Sequence, residues 1–328
     1  MSDGKIRVAV VFGGRSGEHE VSRISATSVM QAIDKAKYDV IPIGITRSGR
    51  WLIGGDPMKR LEAADADEAA VSGPEATPDC RGLMVVGPGG LVLGEQRFPD
   101  VDVVFPVLHG PYGEDGTIQG LLEMADIAYV GAGVLGSALG MDKIAMKDVF
   151  RAHGLPVVRF KSLLASQWRQ QAGPLLDEIE QSLGYPCFVK PANLGSSVGI
   201  SKAHDRAELE AGLNLAAEYD RRILVEEGIN AREIEVSVLG NDEPEASVPG
   251  EVVPSNEYYD YAAKYLDGES QLLIPAPLSE AQTEQVRKLA IAAFLALAGG
   301  ALILAATALR LRSEPASEVR NSPDKIEI

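Results

Sequence analysis

The chain has 328 residues, room for two or three compact domains, and its 31 Lys and Arg against 47 Asp and Glu leave a net charge of −16. A surface this acidic excludes a nucleic-acid scaffold, which needs clustered cations for phosphate, yet leaves room for a local basic pocket for a nucleotide. Two widely separated cysteines, Cys80 and Cys187, exclude a disulfide framework or a cysteine zinc site and suit a reducing cytosol.

Residues 6–12, Ile-Arg-Val-Ala-Val-Val-Phe, predict a buried parallel strand, too short for a signal peptide and ended by Gly13-Gly14. Ser22–Asp34 predicts a helix with Ile24, Val29 and Ile33 on one side, and Val40–Ile45 a second strand, so the chain opens on a β-α-β unit. Residues 54–82 are acidic and rich in Ala, Pro and Asp, the composition of an insertion or surface excursion. Leu83–Val86 and Leu91–Leu93 flank Gly-Pro-Gly-Gly and read as a hairpin. Val101–Leu108 is another apolar strand, and one helix is expected over 138–152 with Met141, Ile144, Ala145 and Val149 inward.

Further on, strands Cys187–Lys190 and Gly199–Lys202 bracket a Gly/Ser loop, followed by helix 207–219 and strand Arg222–Glu227. Alternating Ile234, Val236 and Val238 mark a half-buried strand, Val252 and Val253 another, and helix 279–297 starts at a capping Ser279. Leu289–Leu309 runs 21 residues without a charge, long enough for a membrane span. Its nine Ala and mid-run Gly299-Gly300 make a buried soluble segment the stronger reading. After Leu309 the tail reads as turn and linker, too rich in Pro and Ser to rebuild a strand.

Five segments carry chemistry. In Lys190-Pro-Ala-Asn-Leu-Gly-Ser-Ser-Val-Gly199 a strand delivers a Lys, and small residues then let backbone N–H groups wrap an anion such as a triphosphate. The Lys precedes the glycines, so this is no Walker A loop, and a hairpin tip with an incidental Lys is the plain alternative. Gly13–Ser22 is a Gly-rich turn lacking G-x-G-x-x-G; it is either a tight turn with solvated charges or a seat for a small charged substrate, with Glu20 to hold an ammonium. His109–Gly116 follows a strand, where open α/β sheets place ligands, although a lone His is often only a satisfied polar residue. Tyr258–Tyr265 is unusually aromatic and suits either surface packing or a lid carrying Lys264. Leu224–Glu233 ends a strand with carboxylates that fit an adenine edge and ribose hydroxyls, or a plain acidic sheet edge.

Taken together, FGGRSGEHEVS (12–22), LHGPYGEDGTIQG (108–120), MDK (141–143), FVKPANLGSSVGISK (188–202), VEEGINAREIEVSV (225–238) and YDYAAKY (259–265) resemble, in order and spacing, the D-alanine–D-alanine ligases. The resemblance spans roughly residues 5–294 and implies an α/β ATP-grasp fold with an N-terminal open parallel-sheet domain, in three parts: 1–131, 132–226 and 227–328. It also implies ATP and D-alanine as substrates, a cytoplasmic homodimer and no membrane or nucleic-acid partner. The reaction it implies is ligation of two D-alanines through an acylphosphate, for peptidoglycan precursors.

The resemblance assigns residues too. Glu20 would hold the first D-alanine's ammonium in a catalytic trio with Ser196 and Tyr265, and His109 would line the pocket. Lys143, Lys190, Ser197 and Lys264 would meet the phosphates, Glu226 and Ile229 the adenine, and Glu233 the ribose. The Lys264–Tyr265 pair matches dipeptide-forming members, since D-lactate-using relatives carry a different lid, which makes the ester the lesser alternative. Magnesium or manganese is expected for the family, but from about residue 295 the chain leaves its pattern and no acidic residue lies between Glu284 and Glu314. No metal ligand is therefore assigned. A frameshift, a truncation or divergence would each produce this loss, and a catalytically impaired nucleotide-binding remnant is the alternative function.

Overall fold

A computed structural model describes residues 4–70, 83–85, 91–93, 96–97, 100–255, 270–297, 309–312 and 326–327. They fall into two units, Met1–Ala138 and Leu139–Ile328. In the first, β1 (Ile6–Gly13) pairs in parallel with β2 (Tyr38–Ile45) from Ile6↔Tyr38 to Gly13↔Ile45. With β3 (Trp51–Ile53) and a later strand, Val103–Pro106, the sheet order is β3-β2-β1 and then that strand, which pairs in parallel with β1. Both faces of β1 are covered, which is why its sequence is apolar throughout. Ala9 and Val11 pack with Ile43, Val104, Ile118 and Leu122, while Val8, Val10 and Phe12 pack with Ala26, Leu52 and Leu61.

The helix after the Gly-rich turn, α1 (His19–Ala32), starts three residues earlier than expected and buries His19, Ser22 and Ala26. Ile24, expected inward, is 69% exposed. The inward face is fixed by Ser22, whose hydroxyl accepts from Gly13 N–H and donates to the Val107 carbonyl. The acidic excursion contains a helix, α2 (Pro57–Ala70), which opens with Pro and puts Leu61 into the core. The Asp56 side chain accepts from the Lys59 N–H at its start. The expected hairpin is present as β4 (Leu83–Val85) against β5 (Leu91–Leu93), joined by β6 (Gln96–Arg97). The strand Val103–Pro106 is β7, and α3 (Thr117–Met124) follows it, set against the sheet by Ile118 and Leu122.

The single helix expected over 138–152 is two, α4 (Val134–Met141) and α5 (Lys143–Ala152). Asp142 breaks the chain between them in an extended conformation and caps α5, accepting from Ile144 and Ala145 N–H at 3.1 and 2.9 Å. The buried face of α5 is Ile144, Lys147 and Phe150, so a lysine stands where apolar residues were expected.

Among the described residues the second unit holds two larger antiparallel sheets and a separate strand pair. In the first, β8 (Phe160–Leu164), β9 (Cys187–Pro191), β10 (Ser201–Ala203) and β11 (Arg222–Glu227) run in the order β10-β9-β11-β8. Cys187, Val189, Ile223 and Val225 pack on α6 (Ala165–Gln170), α7 (Ala172–Ser182) and α8 (Arg206–Tyr219). By strand alternation Phe188, Lys190, Leu224 and Glu226 share the other face, where Leu224 meets Ile144 of α5. Elements β8, α6 and α7 occupy a stretch for which no element is predicted.

The second sheet orders β12 (Ala231–Glu235), β15 (Gly250–Val253), β16 (Gln271–Leu273), β17 (Leu309–Arg312) and β18 (Ile326–Glu327) as β16-β15-β12-β17-β18. A separate pair, β13 (Val238–Leu239) with β14 (Glu245–Ala246), lies beside it in sequence. Ile234, Val236 and Val238 are buried as expected, against Val286, Ala290 and Phe294 of α9 (Glu280–Ala296). Ser279 caps α9, with Gln282 completing a reciprocal box. The tail is not all linker: Leu309–Arg312 pairs with Ala231–Ile234, which its Leu-Arg-Leu-Arg alternation fits. Among the described residues no helix is long and apolar enough to cross a membrane, and Ala290, Ala293 and Phe294 from the uncharged run 289–309 are core residues; its part from 298 to 308 lies outside them.

Candidate active site

On the face of the first antiparallel sheet that α5 covers, Lys190 stands diagonal to Glu226, because Leu224 pairs with Lys190 and Phe188 with Glu226. Long side chains close that diagonal: Lys190 Nζ donates to Glu226 Oε2 at 2.6 Å. Lys147 reaches the other oxygen from α5, with Nζ 3.0 Å from Oε1. One turn earlier, Lys143 donates from Nζ to the Leu194 carbonyl, and its backbone N–H to Ala192 at 3.0 Å. Burial, and after it the charge of Lys190, push the Lys143 ammonium down to about 8. Two lysines thus hold one carboxylate, and Lys143 lies near enough to feel the charges of both Lys190 and Glu226. The excess positive charge belongs to a site for an anion.

The Gly/Ser loop leaves this cluster at Pro191. Its root is pinned: Asn193 donates from N and Nδ2 to Asp220 Oδ2 at 2.9 and 3.0 Å, and Arg222 ties Asp220 to Asp142. Ser196 and Ser197 both hold left-handed backbone, φ +48° and +60°, at a cost of about 1–2 kcal/mol each for a residue with a β-carbon. Gly199, at φ +70°, is glycine because a β-carbon there would lie 2.7 Å from the Tyr219 ring. Strain concentrated in a loop beside a cation cluster is the pattern of a ligand-holding segment.

At the far end of β11, Gly228 N–H donates to the Pro186 carbonyl at 2.7 Å and Glu227 pairs with Arg159. Ile229 and Glu233 are half-buried, the latter on β12 opposite Val252. The structure therefore brings Lys143, Lys190 and Glu226 together, with Ser196 and Ser197 on the adjoining loop. Lys264 and Tyr265 lie outside the described residues.

In the first unit, Gly13 and Gly14 turn the chain at φ +88° and +98°, and a β-carbon on Gly13 would lie 2.3 Å from the Ile45 carbonyl oxygen. Glu20 emerges on the outer side of α1, where Arg23 and Arg47 each donate to it at 2.9 Å. The acid turned inward is Glu18, 8% exposed. It was missed, although its spacing gives it away: Glu18 is four residues before the buried Ser22, whereas Glu20 is two before it and falls on the opposite side. Beside Glu18, Ser16 Oγ donates to the His109 carbonyl at 2.7 Å, His109 Nε2 lies 3.1 Å from Ser25 Oγ, and Gly110 N–H donates to Glu114. Burial, with a smaller contribution from the Glu18 charge, raises the Glu114 carboxyl above its ordinary value. The buried Glu18 and, on the exposed part of the His109–Gly116 loop, Glu114 make a seat for a cation such as an ammonium.

The second residue missed is Lys147. Its signal was weak, a Lys on an apolar helix face, and its partner lies far along the chain in Glu226. Magnesium does not fit the described residues: no group of three His, Cys, Asp or Glu is placed to hold a metal ion. Glu226, Glu227 and Glu251 are engaged by Lys147 and Lys190, by Arg159 and by Arg232.

Comparison with known proteins points to one family. Residues 7–132 match the family described as the D-ala D-ala ligase N-terminus and residues 149–303 the D-ala D-ala ligase C-terminus. The D-alanine–D-alanine ligase of Natranaerobius thermophilus is 49% identical over 299 residues, covering 89% of this chain and 79% of that one. That of Thermoanaerobacter sp. (strain X514) is 52% identical over 296 residues, covering 89% and 80%. Among solved structures, the D-alanine-D-alanine ligase from Coxiella burnetii superposes with a TM-score of 0.73 at 31% identity, covering 99% of this chain and 84% of that one. The VanG D-Ala:D-Ser ligase from Enterococcus faecalis gives 0.74 at 35%, covering 94% and 85%. With an ATP-grasp fold, both family domains and relatives of about half-identical sequence, the chain belongs to the D-alanine–D-alanine ligase family.

Proposed function

We propose that this protein joins two D-alanines at the expense of ATP, in the cytoplasm and as a homodimer, to supply a dipeptide for peptidoglycan precursors. The observation that carries the reading is the pairing of Lys147 and Lys190 with Glu226, and of Lys143 with the Leu194 carbonyl, at the root of a strained Gly/Ser loop, within a chain of this family. We read the two larger antiparallel sheets of the second unit as the two halves that grip the nucleotide, in a division at 1–131, 132–226 and 227–328.

A carboxylate is a poor electrophile until one of its oxygens becomes a good leaving group. In the first step an oxygen of the first D-alanine attacks the γ-phosphorus and ADP departs. In the second, the amine of the other D-alanine attacks the acyl carbon, the C–O bond to phosphate breaks, and the amine loses its proton. The protein contributes position and charge rather than a nucleophile. Lys143 and Lys190 neutralise phosphate oxygens, with Lys264 on the transferred group and Ser197 on the loop. Glu226 and Ile229 receive the adenine and Glu233 the ribose. Glu18 takes the ammonium of the first D-alanine, in the place first given to Glu20, with His109 lining the pocket, and Ser196 and Tyr265 keep the catalytic roles that the resemblance gives them.

The test is D-alanine-dependent ADP release together with product analysis. D-alanyl-D-alanine is the expected product; an ester formed with D-lactate in preference, or failure to bind ATP, overturns the reading. A second reading rests on two observations. Residues 285–313 contain no Asp or Glu, and the described residues offer no metal-ligand group, which favours a chain that binds ATP better than it turns it over.

A further inference from the structure

Lys147 has no part in the roles above, yet it is among the most deeply buried charged side chains described. It sits four residues after Lys143 and three from each of Ile144 and Phe150, on the inner face of α5. Its side chain is 7% exposed, against 4% for Glu226 and 12% for Lys190. A lysine buried this far stays charged only beside a carboxylate, and Glu226 Oε1 is 3.0 Å away. The other oxygen, Oε2, is held by Lys190 at 2.6 Å. One buried acid is therefore shared oxygen by oxygen between two cations on different elements.

That division matters because the two lysines are not equivalent. Lys190 ends a strand at the root of the Gly/Ser loop, while Lys147 comes from the packed interior of a helix whose neighbours are Leu224 and Phe160. Were Lys190 the sole cation on Glu226, moving it to a phosphate would strand a buried charge, which is strongly unfavourable. We propose that Lys147 is a positioning residue, the standing counter-ion of Glu226, which lets Lys190 pass from Glu226 to the phosphates of a nucleoside triphosphate while the carboxylate stays ionised to accept from the exocyclic amine of the base. This rests on the ATP reading above and adds a hand-over of one cation to it. Lys147 itself stays where it is, so its charge acts on the phosphates only through Lys190.

The experiment is a double-mutant cycle on the full chain, with ATP and adenosine binding measured by calorimetry. In Lys147→Met the buried charge is gone and Lys190 is retained by Glu226, so ATP affinity falls about tenfold or more while adenosine affinity changes less than about threefold. Adding Glu226→Gln removes the charge that retains Lys190. The double variant Lys147→Met/Glu226→Gln then binds ATP within about threefold of Glu226→Gln alone, and Lys147→Arg behaves as the parent. Equal losses for ATP and adenosine would make Lys147 a packing residue. A double variant that binds ATP about tenfold or more worse than Glu226→Gln alone would make it a direct phosphate ligand. Either result overturns the proposal. If Lys147→Met alone does not fold, the comparison of the charge-neutral double variant with Glu226→Gln still decides, a tenfold deficit for ATP being the refuting outcome. A parent chain that binds neither ATP nor adenosine would instead overturn the nucleotide reading itself.

Discussion

Gly110 lies so close to Glu18 that a β-carbon at position 110 would stand 2.3 Å from the carboxylate Oε2, and the backbone there holds φ +68°. Both features demand glycine. Gly110→Ala is therefore expected to cost about 1–2 kcal/mol of stability through the left-handed backbone, and to push Glu18 out of its position. The binding of D-alanine should suffer more than the melting temperature does. Calorimetric titration with D-alanine beside a thermal melt checks this, and unchanged D-alanine affinity would remove Glu18 from the substrate site.

The same pair shows what was legible in the sequence. The strand-turn-helix around Gly13 and Gly14 could be read because an apolar run, a glycine pair and a helical period are local signals. Which acid faces inward depended on where α1 begins, and helix starts shift by a residue or more with the surrounding packing. Asp142 is a related case: inside an apolar helical pattern it ends one helix and caps the next, a role fixed by its own backbone and by Arg222. Lys147 was illegible for a different reason. Charge at one position of an apolar face makes sense only once β11 brings Glu226 beneath it, a contact that no local spacing reveals.

Lys190 should distinguish phosphate from nucleoside. In Lys190→Ala, Glu226 keeps Lys147, so the base side is preserved while a charge-assisted phosphate contact is lost. The expected loss is about 1.5–3 kcal/mol in ATP binding with little change for adenosine, and the double variant with Lys143→Ala should be worse. Equal loss for both ligands by calorimetry would refute the phosphate role.

Lys143 should make ATP binding depend on pH. With its ammonium held down to about 8 by burial and by Lys190, its charge is present below that pH and lost above it in the ligand-free protein. A polyphosphate favours the charged form and raises the value again, so binding near about pH 8.5 takes up as much as about one proton. Affinity should fall as pH rises through this window. Titrations in buffers of different ionisation enthalpy measure the uptake, which Lys143→Met should abolish; no uptake in the parent chain would remove Lys143 from the phosphate site.

The last prediction separates binding from turnover. Phosphoryl transfer spreads charge over the moving group, and magnesium, which demands near-octahedral oxygen ligands, usually draws one or two of them from protein carboxylates. Here Glu226, Glu227 and Glu251 are each committed to lysine or arginine, and residues 285–313 hold no acid at all. The lysine cluster needs none of these ligands to hold a triphosphate. ATP binding should therefore survive in the 328-residue chain while D-alanine-dependent ADP release falls. Each 1.4 kcal/mol of lost transition-state stabilisation is about tenfold in rate, so a deficit of several kcal/mol leaves turnover at least about a hundredfold below that of a D-alanine–D-alanine ligase from a relative assayed alongside. Coupled ADP-release assays with magnesium and D-alanine decide the matter. Turnover within tenfold of the relative would mean that carboxylates outside the described residues complete the site.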